Sequence, residues 1–346
     1  MRFSARLKPA GHLASLMLVL LLAGCASAPQ WPATTDKSQP LQQRVVLEEI
    51  PFYPQERYQC GPAALAMMLN SQGLNTDPEV LKELVYIPGR EGSLQVEMVA
   101  AGRAHGMLVY RLDGDLESLF REVYEGHPVL VMQNLMFDWW PQWHFAVVIG
   151  FDAQKRNVIL HTGTRERYET SVEVFTNTWA RSGNWAVVIL PPDQLPATAT
   201  PLNFLASAND LETTGRTDAA MTAYETAEQR WPDQPAAILG QGNIAFARNN
   251  MRQAADDFAR MVKEFPDAAE GWNNLAYTLN QMGCADEAQK AQQCASALAP
   301  KRFEASLEST HLKPRPSDCR VPECPVSVTD QASAVSGTKP HPSQER

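Results

Sequence analysis

The second half of this 346-residue chain repeats with a step of 34 residues. Pro232, Pro266 and Pro300 keep that step, as do Gly215, Asn249 and Gly283, and also Ala220, Ala254 and Ala288. Phe204, Ile238 and Trp272 form a large apolar column, and Ala208, Gly242 and Ala276 a small one. A period of this length constrains folding more than any other feature of the chain. Each unit is one supersecondary block that buries its apolar side only by stacking on its neighbours. The blocks run over 201–234, 235–268 and 269–302.

The pattern is similar to the tetratricopeptide repeat, in which two helices cross at small residues and proline ends each unit. That resemblance implies an all-α solenoid over 201–302 whose concave surface receives a peptide or a partner protein. Tyr224 and Phe258 place a large residue four positions after the alanine column, whereas Gln292 replaces it in the third unit. The exchange either weakens that helix face or marks a cap.

Chemistry concentrates in the first half, at Gln55-Glu-Arg-Tyr-Gln-Cys60-Gly-Pro-Ala-Ala-Leu-Ala-Met-Met-Leu69. Pro62 suits a first helical position, Ala63 to Leu69 are good helix formers, and Gly73 is a plausible stop. Cys60 is therefore expected at a helix N-terminus, where the macrodipole and free N–H groups lower a thiol pKa and favour the reactive thiolate. Gln55 is placed to donate its amide to a developing oxyanion beside the Cys60 N–H. Downstream, His144 opens the apolar run Phe145-Ala-Val-Val-Ile-Gly150 and is the candidate base. Taken singly, a cysteine before an apolar helix or a histidine entering a strand is more often structural; together they make a nucleophile–base pair.

Around them, 94–104 and 116–124 read as helices, and 128–132, 144–151, 157–161 and 185–190 as strands. Asp152 to Asn157 makes a polar hairpin turn. The blocks Gln55…Cys60-Gly-Pro-Ala, Pro128-Val-Leu-Val, His144-Phe-Ala-Val-Val-Ile-Gly and Val174-Phe175…Trp179 together resemble the bacteriocin-processing (double-glycine leader) cysteine peptidase family. The resemblance spans roughly 140 residues and implies an α+β papain-like domain over 45–195, with Cys60 as nucleophile, His144 as base then acid, and Gln55 as oxyanion donor. That family carries Asp-Pro on the strand after the histidine, and here the step is His161-Thr162. His161 is thus the expected third member, a weak orienter beside a Cys/His dyad; Asp152 is an alternative at the wrong end of the strand. Phe137, Trp139, Trp140 and Trp143 just before the base are expected either to wall the cleft or to fill the core. No transporter spans and no GxxxxGK[ST] motif accompany the domain, which sets it apart from an exporter's leader peptidase.

The ends carry separate signals. Residues 1–24 read as a signal peptide, with Arg2, Arg6 and Lys8 ahead of the apolar Leu13–Leu22 segment. Leu22-Ala-Gly-Cys25 resembles the lipobox of bacterial lipoproteins, which implies acylation of Cys25, and Ala26 after it suggests outer-membrane sorting facing the periplasm. Residues 25–44 read as a polar linker that lifts the body off the membrane, and 303–346 as a tail that is disordered or stapled by disulfides. Setting Cys25 and Cys60 aside leaves Cys284, Cys294, Cys319 and Cys324. The first two lie about 15 Å apart if on one helix, too far to bridge each other. Each is expected to pair with one of the tail cysteines. No histidine or cysteine spacing calls for a metal, and no cofactor is expected. The net charge of −9 argues against a nucleic-acid partner. The expected function is peptide-bond hydrolysis by a lipid-anchored envelope peptidase whose repeats recruit substrate or partner. The rival readings are a peptidase-like scaffold that binds peptides with little or no turnover, and acyl transfer to an amine.

Overall fold

The computed structural model describes residues 31–32, 41, 43–54, 59–307 and 319–326. Gln55, Cys25 and the signal segment lie outside the described residues. The first half is built on a seven-stranded antiparallel sheet: β1 (Arg44–Val46), β2 (Leu108–Arg111), β3 (Val129–Asn134), β4 (Trp143–Asp152), β5 (Asn157–Thr162), β6 (Arg165–Ser171) and β7 (Ala186–Leu190). The order across it is β2-β7-β3-β4-β5-β6, and β1 lies on the end of β4 past β3, with Arg44 opposite Asp152. Helices α1 (Cys60–Ser71), α2 (Pro78–Val85) and α3 (Gln95–Ala104) cover one face; α4 (Leu116–Tyr124) and α5 (Val172–Ala180) cover the other.

Both faces are therefore dry, and β4 shows how one strand serves two cores. Phe145, Val147 and Ile149 enter the core under α1, while Ala146 and Val148 enter the core under α4 and α5. This is the period-two alternation of a strand applied to a sheet buried on both sides, which is why the run looks apolar without a break. A bulge between Val148 and Gly150 shifts the register and turns Phe151 to the α4 side. Gly150 is needed there, because a Cβ would lie 2.5 Å from the Val45 carbonyl oxygen.

Helix α1 starts at Cys60, two residues before Pro62, so the proline sits within the first turn, where its missing N–H costs nothing. Gly61 to Leu69 are all buried. A helix apolar on every side belongs inside, between the sheet and its covering helices. The strands β1, β2 and β6 and the helices α2 and α5 are additional to those read from the sequence. β6 is an edge strand whose first three residues face solvent, so it carries no apolar alternation.

The second half consists of three helix pairs: α6 (Pro201–Thr213) with α7 (Thr217–Arg230), α8 (Pro235–Ala247) with α9 (Met251–Glu264), and α10 (Ala269–Met282) with α11 (Ala285–Leu298). The Gly215, Asn249 and Gly283 column has a physical reason, since all three adopt positive φ at the turn between paired helices. Gly242 is small because a Cβ there would meet the Phe258 ring at 2.5 Å.

Cys284 is bonded to Cys319 and Cys294 to Cys324. Cys284 stands just ahead of α11 rather than within it. Gln292 is buried and its amide donates to the Glu304 carbonyl at 2.7 Å, so the residue that breaks the aromatic column grips the segment capping the last repeat.

The two halves share a core. Phe204, Leu211 and Tyr224 of the first repeat belong to the same buried cluster as α4, α5 and the sheet. Arg103 of α3 pairs with Asp210 of α6. Glu122 of α4, fully buried, accepts from the backbone N–H groups of Ala197 (3.0 Å) and Thr198 (2.8 Å), from the Thr198 hydroxyl (2.6 Å), and is 2.8 Å from Nδ1 of His127. It clamps the connection between the halves. The expected linker is also engaged: Trp31 packs on Phe120 and Phe151, and Leu41 is buried. Replacing Glu122→Ala strands those donors in a dry site and is expected to cost about 3 kcal/mol. Thermal unfolding checks the loss, and faster hydrogen exchange at the amides of residues 197 and 198 checks its location.

Candidate functional site

Cys60, the first residue of α1, is half-buried and is the free cysteine among the described residues. Backbone N–H groups of Phe145, Gly61 and Cys60 itself point at its sulfur and favour the anion, but burial is the larger effect and pushes the thiol above its ordinary value. This corrects the expectation of a lowered pKa at the helix terminus: desolvation outweighs the local dipoles. Cys60 packs against the buried cluster that contains Phe145, so the start of α1 lies by the head of β4.

His144 stands opposite Gln133 in the β3–β4 register, and Gln133 bonds to the Thr178 hydroxyl of α5 at 2.6 Å. Nε2 of His144 lies 2.8 Å from the Thr162 hydroxyl oxygen. With the proton on Nε2, that bond donates to Thr162 and leaves Nδ1 bare to receive another proton. Burial first, and then the positive charge of Arg165, lower the His144 pKa to about 4. Arg165 is opposite Thr162 in the β5–β6 pairing, and its guanidinium lies 3.6 Å from the centre of the Tyr168 ring. The thiol and the imidazole are thus both neutral at pH 7, and they make no hydrogen bond to each other.

His161 is turned elsewhere. Its Nε2 is 3.2 Å from the Ile50 carbonyl, its Nδ1 accepts from the Arg167 backbone N–H at 3.2 Å, and its ring packs by Phe52. Successive residues of a strand point to opposite faces. The residue after it, Thr162, therefore meets His144, and His161 faces the α1 side with Val147, its register partner. Asp152 is bound at the far end of β4, where it accepts from Arg44 and from the Gln154 and Lys155 N–H groups. Thr162 was missed in the sequence because it was read as half of a dipeptide step, not as a separate face. Strand parity was the signal that finds it.

The aromatic segment ahead of the base does not fill the core: Phe137, Trp139, Trp140 and Trp143 are exposed. It forms a tight hairpin tip with Phe137 bridged to Trp140. Asn134 holds it by accepting from the Met136 and Gln142 N–H groups, and Arg181 donates to the Met136 carbonyl at 2.7 Å. The group formed by Cys284, Glu287 and Cys319 has metal-ligand residue types, but its two sulfurs are bonded to each other.

A neutral His144 has a measurable signature. The chemical shift of its Cε1 proton is expected to report a titration near pH 4, and Arg165→Gln to move that midpoint up part of the way, since burial remains, read by NMR. The folded value lies below the unfolded one, so the unfolded chain binds the proton first, and stability present above pH 6.5 is lost as pH falls towards 4.

Comparison with known proteins agrees with this architecture. Residues 47–187 match the peptidase C39 like family, and residues 205–269 and 239–300 match the tetratricopeptide repeat. Among solved structures, the chain is similar to a putative C39-like peptidase from Bacillus anthracis, at 19% identity over 43% of this chain and 98% of that one, with a TM-score of 0.36. It is similar too to the peptidase domain of Streptococcus ComA, a bi-functional ABC transporter involved in a quorum-sensing pathway. There the identity is 23% over 41% of this chain and 99% of that one, with a TM-score of 0.34. Comparison with curated proteins gives no match.

Proposed function

From a chain whose residues 47–187 belong to the peptidase C39 like family and whose residues 205–300 are tetratricopeptide repeats, we propose a cysteine peptidase tethered in the cell envelope through Cys25. Its repeats hold a polypeptide substrate or partner, and Cys60 and His144 cut it. The observation that carries this reading is a free cysteine at the head of α1, packed against the buried cluster that contains Phe145, the residue next to an imidazole whose Nε2 lies 2.8 Å from the Thr162 hydroxyl.

Because both groups rest neutral, the proposed chemistry is general-base attack rather than attack by a preformed thiolate. Nδ1 of His144 takes the thiol proton as sulfur bonds to the scissile carbonyl carbon. The oxyanion is met by the Cys60 N–H and, in this reading, by the Gln55 amide. The C–N bond then breaks as the proton passes to the leaving amine, which leaves a thioester. Water, deprotonated by the same imidazole, releases the carboxylic acid and restores the thiol. Thr162 orients the ring but supplies no negative charge for the imidazolium formed on the way.

That neutral partner, with Arg165 beside it, is the specific observation favouring a second reading: a scaffold that retains peptides and turns them over slowly. The two separate on a single pair of variants. Cys60→Ala is expected to abolish both labelling by a thiol-directed probe and release of new amino termini from substrate while leaving peptide binding unchanged. Thr162→Asp is expected to raise turnover about tenfold by restoring charge behind the base. Wild-type protein that binds peptide and releases no product at any pH between 5 and 9 would establish the scaffold instead.

A further inference from the structure

Among the described residues, the hairpin tip from Leu135 to Trp143 is the largest cluster of apolar side chains left in solvent. Trp139 is 77% exposed, Trp140 66%, Phe137 55% and Trp143 50%, with Leu135 (41%) and Met136 (39%) less open at its base. Such side chains stand out from the surface; walls of a peptide cleft would keep only one face open. Phe137 stacks on Trp139 at 5.6 Å, and Trp139 meets Trp140 edge-on at 6.3 Å. The bonds from Asn134 and Arg181 hold the tip in place, so little conformational freedom remains to be lost on docking. Asp138 is the one charged residue between Leu135 and Trp143.

We propose that this tip docks into the headgroup region of a phospholipid bilayer and holds the Cys60–His144 cleft against the membrane surface. The chemistry favours lipid: tryptophan and phenylalanine carried together on an exposed tip suit the interface, where an indole has its apolar ring in the acyl boundary and its N–H in the wet layer.

The placement of the N-terminal segment favours it as well, on the reading that Cys25 is acylated. Trp31 is docked on Phe120 and Phe151, at the end of β4 opposite the tip. Only five residues lie between it and Cys25, six steps of chain with a reach of about 21 Å when fully extended. The body is therefore held close to the bilayer instead of being lifted from it. The ten residues of β4 span about 33 Å between anchor and tip. With β4 lying along the membrane, both reach the same plane, and the substrates of the cleft are polypeptide segments at the bilayer surface.

The test uses the full-length protein reconstituted in vesicles of phosphatidylethanolamine and phosphatidylglycerol, in which part of the lipid carries bromine on its acyl chains. Flotation reports the anchor, and quenching of tryptophan fluorescence by bromine reports the tip. The expected result is a protein that floats and is quenched, and a Trp139→Ser/Trp140→Ser variant that still floats with most of the quenching gone. Both side chains are exposed and their ring contacts are with the tip, so the variant is expected to keep its fold. Flotation without quenching would keep the anchor and overturn the tip, as would equal quenching in protein and variant. Protein that neither floats nor is quenched would overturn both. A variant whose quenching is unchanged but whose KM for peptide rises would assign the tip to substrate instead.

Discussion

The strand β4 is the constraint on which the rest of this molecule depends. Its alternate residues enter the two cores, so it fixes both helix layers relative to the sheet. Its head carries His144, and Cys60 packs against the cluster that holds Phe145; the aromatic tip leads into it, and its tail accepts β1 at Gly150 and Trp31 at Phe151. Displacing this one strand would unpack both sides of the sheet at once.

The electrostatics of the site follow from burial more than from any single partner. A helix terminus favours a thiolate, yet Cys60 is withdrawn far enough from water that desolvation prevails. The same dryness acts on His144, where Arg165 adds a like charge and Thr162 supplies a hydroxyl in place of a carboxylate. A neutral thiol and a neutral imidazole are the outcome, and the ring depends for its position on that hydrogen bond.

The repeats are not a separate appendage. One buried cluster passes from the sheet through α4 into the first repeat, Glu122 fastens the connecting backbone, and Arg103 meets Asp210 across the junction. At the other end, two disulfides and Gln292 close the last repeat, which would otherwise present an apolar end. The repeats and the peptidase-like half therefore meet in one packed junction.

Much was legible from residue types and spacing alone. The 34-residue step determined three helix pairs, because only Gly215, Asn249 and Gly283 suit the positive-φ turns and only small residues suit the crossings. The apolar stretch after Cys60 determined a buried helix, and the run after His144 a buried strand. Tertiary structure decided what depends on direction and dielectric. Strand parity gave His144 the hydroxyl of Thr162 and turned His161 towards Ile50, a choice between adjacent residues that composition cannot make. Burial decided the charge states of Cys60 and His144, since desolvation is a property of the packed interior and not of local sequence. The four aromatics before the base were ambiguous for the same reason: whether a tryptophan fills a core or meets solvent is set by what the rest of the chain leaves uncovered.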